Sequence, residues 1–252
     1  MTTRLKTTLD PNLYTQIGLD SGSLTMLGTI AHPLGEAGEY RGALHLGADV
    51  KAVFFITADS NSPIAQATVD LAGLEKAQSG SSASEGEESC GCADGSKEGP
   101  SGKKYTVNPR GYVLFHLQSG QGGYYVHLRR IDAAENDKGY DTRTLKNGDA
   151  FTAMILRPGT YSIKNVAGKG AAQVVVHYPK VGDKPYVPPA PVRIECTANG
   201  FDTKGKLELG VGQGLVFHAR TDSRIEIKLE KADDGPARTD RGRSGFRKHQ
   251  LA

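Results

Sequence analysis

Between residues 112 and 130, two runs of alternating side chains, Tyr-Val-Leu-Phe-His-Leu and Tyr-Tyr-Val-His-Leu-Arg, flank the turn Ser119-Gly120-Gln121-Gly122-Gly123. Side chains that alternate with period two fall on opposite faces of a strand, so this stretch is constrained to β structure with one buried face. The glycines predict a hairpin with Gln121 and Gly122 at its tip, which sets His116 directly opposite His127. Val113, Phe115, Leu117, Val126 and Leu128 then make the core face. Leu114, His116, Gln118, Tyr125, His127 and Arg129 make the other.

The same punctuation recurs along the chain. Strands are expected at 43–46, 50–57, 65–71, 104–107, 112–118, 124–131, 150–156, 161–165 and 171–178, and again at 192–197, 206–209, 215–219 and 225–229. The segment 62–78 reads two ways, because Ser62-Pro63 also opens helices and Leu71, Leu74 and Ala77 fit helical spacing. With 32 glycines and no tryptophan, the 252-residue chain suits many short strands better than packed helices. The expected fold is all-β, an antiparallel β-sandwich built from two β-units joined by a proline-rich connector. Its expected parts are an N-terminal segment (1–38), a sandwich domain (39–180) with a disordered insertion (77–103), the linker (181–191), a second β-unit (192–231) and a basic tail (232–252). The second unit is too short to bury a core alone and is expected to complete a sheet of the first. A repeat supports two related units: Gly111-Tyr-Val-Leu-Phe-His116 recurs as Gly214-Leu-Val-Phe-His218.

Net charge is +3, but residues 236–252 hold Arg238, Arg241, Arg243, Arg247 and Lys248 against Asp240, which leaves the rest of the chain near neutral. Nucleic-acid binding is therefore expected only weakly, through that tail. No apolar run is long enough to cross a bilayer, and the first residues carry no apolar export core, so the expected compartment is the cytoplasm.

Two clusters offer metal chemistry. Cys90-Gly91-Cys92, with Glu87, Glu88 and Asp94 nearby, supplies thiolates for a transition metal such as zinc or copper. A structural zinc site needs four ligands, however, and no second cysteine pair exists; Cys196 is expected to be a small buried hydrophobe. His116 and His127, if facing, could share a metal, with His45, His177 or His218 as third ligand. Nucleotide loops and a nucleophile elbow are missing: Gly168-Lys-Gly170 lies between strands, and no Gly-x-Ser-x-Gly occurs.

Leu156-Arg-Pro-Gly-Thr-Tyr-Ser-Ile-Lys-Asn165, followed by Ala171-Ala-Gln-Val-Val-Val-His-Tyr178, resembles the closing hairpin of cupredoxin-like and Ig-like β-sandwich domains. That resemblance implies the fold only. Cupredoxins carry Cys, His and Met copper ligands in this hairpin, and residues 165–171 contain none. The expected function is non-catalytic: a protein that binds another protein or a second copy of itself, as an accessory or structural subunit. Tyr124, Tyr125, Tyr161, Tyr178, Tyr186, Arg241, Arg243 and Arg247 are its candidate interface residues. The alternative is a metal-binding or metal-delivery module using Cys90 and Cys92, or His116 and His127.

Overall fold

The structure, a computed structural model, describes residues 17–81, 102–133, 139–179, 185–203, 205–233 and 235. The first half carries β1 (Gly18–Asp20), β2 (Gly28–Pro33), β3 (Gly38–Leu46), β4 (Asp49–Ala58), β5 (Gln66–Asp70), α1 (Leu71–Ser81), β6 (Lys103–Val107), β7 (Tyr112–His116) and β8 (Tyr124–Arg130). The second carries β9 (Tyr140–Asp141), β10 (Ala150–Met154), β11 (Gly159–Asn165), β12 (Ala171–His177), β13 (Val192–Thr197), β14 (Gly200–Phe201), β15 (Lys206–Gly210), β16 (Gly214–Ala219) and β17 (Ile225–Ala232). They form three sheets, in the orders β1-β17-β11-β12-β15, β14-β13-β16-β10-β2-β7-β5 and β6-β4-β3-β8-β9. One cluster of buried side chains draws on all three. The two readings of 62–78 are both realised in turn: β5 ends at Asp70, and α1 starts at once with Leu71 and Leu74 buried. Residues 77–81 of the expected insertion are thus helical.

The sheets are mixed, which corrects the antiparallel expectation. β4 runs parallel to β6, β5 to β7, β12 to β15, and β13 to β16. The cause is the chain path. After β4 the chain crosses to another sheet for β5, returns for β6 and crosses again for β7, so every second strand points the same way.

The hairpin at 112–130 is also corrected. β7 lies between β2 and β5, and β8 between β3 and β9, in different sheets. Both edges of each strand are taken, so neither is open to the other. The alternation still places Val113, Phe115, Leu117, Val126 and Leu128 in the core. The linking turn pins to β2's lead-in instead: Gly123 N–H donates to Leu24 O (2.8 Å), and Leu24 N–H to Tyr124 O (2.7 Å). Gly122, at φ 83°, sits so close to Thr25 that a Cβ would stand 2.6 Å from its Cα, and only glycine fits both constraints.

One pairing scheme occurs twice. In the first half β3 pairs antiparallel with β4 and β8, β2 pairs antiparallel with β7, and β6 and β5 add in parallel. In the second half β11, β12, β17, β10, β16, β15 and β13 repeat those relations in the same order. Details repeat too. Tyr40 donates its hydroxyl to Glu36 O (3.0 Å) and Tyr161 to Arg157 O (2.8 Å). The fully buried hydroxyls of Ser21 and Thr142 accept from Ile225 N–H (2.9 Å) and Val126 N–H (2.8 Å). Asp20, Leu24, Ile30 and Tyr40 each lie 121 residues before their counterparts Asp141, Leu145, Phe151 and Tyr161. The halves join where β2 pairs antiparallel with β10, Ile30 opposite Phe151, so an approximate two-fold axis passes between those two side chains. The opening strands are exchanged: β1 completes the sheet of the second half, and β9 that of the first.

Candidate interaction face

The outer face of the β6-β4-β3-β8-β9 sheet brings aromatic and charged side chains into contact. Register places His127 between Ala43 and Asp141, and Tyr125 beside His45. The His45 imidazole lies flat on the Tyr125 ring, centroids 4.7 Å apart and planes 7° from parallel. The Arg143 guanidinium stands 4.3 Å from the same ring, within cation–π range. Arg143 also forks onto Asp141, with contacts of 3.0 Å and 2.6 Å to Oδ2. The Tyr125 hydroxyl donates to Gly47 O (3.1 Å).

Electrostatics follow from these contacts. Burial pushes the Asp141 carboxyl upward, but hydrogen bonds from Arg143 outweigh it and hold the group below its usual range. Burial, helped by the neighbouring His127 and Arg143, lowers the His45 imidazole, whose buried Nδ1 has no hydrogen-bond partner among the described residues. The neutral ring is favoured in the fold, so the unfolded chain takes up the proton more readily. His45 therefore supports stability above the unfolded imidazole pKa of about 6.5 and loses that support as pH falls through and below it. Urea unfolding at about pH 7.5 and about pH 5.5 is expected to show lower stability at the acid end, and His45→Gln a smaller difference; equal acid sensitivity in the variant would remove His45 as the source.

The second half serves as an internal control. Its counterparts of Tyr125, His127, Asp141 and Arg143 are Arg224, Glu226, Asp20 and Gly22. There the arginine sits just before β17, where Arg224 Nη2 lies 2.7 Å from Asp20 Oδ2 and the guanidinium covers Gly22. The same fold position is thus satisfied by plain ion pairs, Arg224 with Asp20 and Glu226 with Lys228. The stack of His45, Tyr125 and Arg143 is not demanded by the architecture.

Several expected site residues land elsewhere. His116 and His127 do not face each other. His116 pairs across strands with Thr29 and Asp70, whereas His127 lies in another sheet, so the proposed histidine pair does not exist. Among the described residues, no group of three or more His, Cys, Asp or Glu is placed to hold a metal ion. Cys90, Cys92, Arg241, Arg243 and Arg247 lie outside the described residues. Tyr124 belongs to the core, because the turn before β8 aims its ring inward: it is 7% exposed and donates to Glu75 of α1. Burial, then the hydrogen bond to that carboxylate, pushes its pKa up to about 12. Cys196 is fully buried in β13, and burial raises its thiol to about 12, as expected of an inert core residue. Sequence reasoning placed Tyr125 and His127 on one face but missed Arg143 and Asp141, which follow the segment 134–138 and enter through a two-residue edge strand with no alternation to read.

No helix among the described residues is long and apolar enough to cross a membrane. No family model, curated protein or solved structure matches the chain.

Proposed function

We propose that the chain is a non-catalytic β-sandwich module that docks another protein, or a second copy of itself, through the outer face of the β6-β4-β3-β8-β9 sheet. The observation that carries this reading is the Tyr125 cluster. It holds an aromatic ring, two imidazoles, a carboxylate and a guanidinium in fixed positions on a partly exposed sheet face, where the equivalent face of the second half carries ion pairs such as Arg224 with Asp20 and Lys228 with Glu226 and has no ring at the positions matching His45 and Tyr125. Pre-ordered aromatic and arginine side chains lose little conformational freedom on binding, which is why they dominate interface energetics. The inward alternation of β2, β4, β8 and β16 supports the sandwich arrangement.

Native purification under gentle lysis is expected to recover a stoichiometric partner or a defined oligomer. Tyr125→Ala combined with Arg143→Ala is expected to release it while the unfolding midpoint moves little, since both groups lie at the surface. A monodisperse monomer without partner would overturn the reading.

A further inference from the structure

We infer that the second half displays a polyproline II ligand, Val187 to Arg193, for a partner domain whose groove is lined by aromatic side chains and carries acidic residues at one end. The run Val187-Pro188-Pro189-Ala190-Pro191-Val192-Arg193 closes the connector between β12 and β13 and enters β13. It does not draw on the Tyr125 face and adds a second kind of partner.

The sequence fixes the backbone of this run. Three prolines hold φ near −65°, and each bars the residue before it from the helical region, so Val187, Pro188 and Ala190 are kept extended as well. Residues 185–191 accordingly form no helix, strand or turn. Polyproline II turns every three residues with a rise of about 3.1 Å, which sets Pro188 and Pro191 on one edge, about 9 Å apart. Aromatic-lined grooves grip such an edge, and a helix formed in advance loses little freedom when gripped.

Tertiary contacts hold the run without covering it. Tyr186 donates its hydroxyl to Val211 O (2.9 Å), and the Gln213 side chain donates to Ala190 O (2.7 Å) while accepting from Gly210 N–H (3.0 Å). Gly212 and Gly214 let the prolines approach: a Cβ at Gly212 would stand 3.4 Å from Pro188 Cγ, and one at Gly214 3.5 Å from Pro191 Cβ. Residues 185–191 all remain exposed, and Val187, at 78%, is the most exposed large apolar side chain among the described residues. Arg193 follows on the exposed face of β13. Glu195 shares that face and is engaged by Arg220, whereas Arg193 forms no ion pair among the described residues.

The first half shows that the fold does not require the run. Its corresponding crossover, from β4 to β5, takes seven residues (59–65) with one proline; the crossover from β12 to β13 takes fourteen (178–191) with five. A spacer needs length and stiffness alone. A cation two residues after the last proline gives the run a direction, which matters to a partner and not to a spacer.

The test titrates the full chain into a purified SH3 domain whose groove carries a tryptophan and acidic residues at one end, with a synthetic peptide of residues 185–195 as reference. The chain has no tryptophan, so the fluorescence change reports the groove. The chain is expected to bind at least as tightly as the peptide, because its segment is already ordered. Pro188→Ala with Pro191→Ala is expected to weaken binding at least about tenfold. Arg193→Glu is expected to weaken it about tenfold and to flatten its dependence on salt. Lys169→Glu, a charge reversal elsewhere in the second half, is expected to leave it within about twofold. Should the double proline variant fail to fold, Arg193→Glu, at an exposed strand position, is read in its place. Weaker binding of the chain than of the peptide would mean that packing on the glycines hides the edge the groove needs, and would overturn the inference. Absence of binding by both, or equal loss from Arg193→Glu and Lys169→Glu, would overturn it as well.

Discussion

Asp149→Ala is expected to cost about 2–4 kcal/mol of stability, measured as a shift in the urea midpoint at constant slope. The Asp149 carboxylate is fully buried and has two donors. Its Oδ1 lies 2.7 Å from His32 Nδ1, and its Oδ2 accepts the Lys146 N–H at 2.6 Å. Removing it strands both donors and cuts the tie between the end of β2 and the loop that starts β10, which is the seam joining the halves. The imidazole is also held by Tyr140, stacked at 3.6 Å and 6°. Burial first, and then the nearby carboxylate, drives the Tyr140 hydroxyl well above its usual pKa. Asp149→Asn keeps an acceptor for one donor and is expected to cost less than alanine. The two-fold counterparts of His32, Tyr140 and Asp149 are Ala153, Leu19 and Gly28, so the second half closes this place without charge. A loss below about 1 kcal/mol for the alanine variant would show that the pair contributes little to the seam.

Phe151→Ala is expected to destabilise by about 3–5 kcal/mol and to do so for the whole molecule at once. Phe151 is fully buried on the approximate two-fold axis, opposite Ile30 on one side and Phe217 on the other, and stacks on the Phe217 ring at 6.1 Å. A cavity there removes packing from both halves, and the exchanged strands β1 and β9 leave neither sheet complete without the other half. Calorimetry is expected to show one transition in both proteins, moved to lower temperature in the variant. Two transitions, with only one displaced, would mean that the halves fold separately.

Much of the local structure was legible because it depends on neighbours in sequence. Alternation at 112–118 and 124–131 marked the buried face of β7 and β8, and Leu71 and Leu74 marked the helix face. The repeat of Gly111–His116 at Gly214–His218 was visible as well, and it now falls on β7 and β16, which hold the same place in the two halves. Its longer counterpart, from Asp20 and Asp141 to Tyr40 and Tyr161, was hidden. Only scattered residues such as those aspartates and tyrosines are shared, because a buried position accepts any apolar side chain of suitable volume. The interaction face was half legible: Tyr125 and His127 follow from alternation, whereas Asp141 and Arg143 join them only in the folded chain.

The amino-acid order by itself determined which residues turn inward and where the chain bends, since both are settled within a few residues by side-chain period and by glycine. Which strand lies beside which was decided only in three dimensions. Every strand has two hydrogen-bonding edges that carry no side-chain label, and β7 and β8, only a short glycine turn apart, lie in different sheets because β2 and β5 take the edges of one and β3 and β9 those of the other.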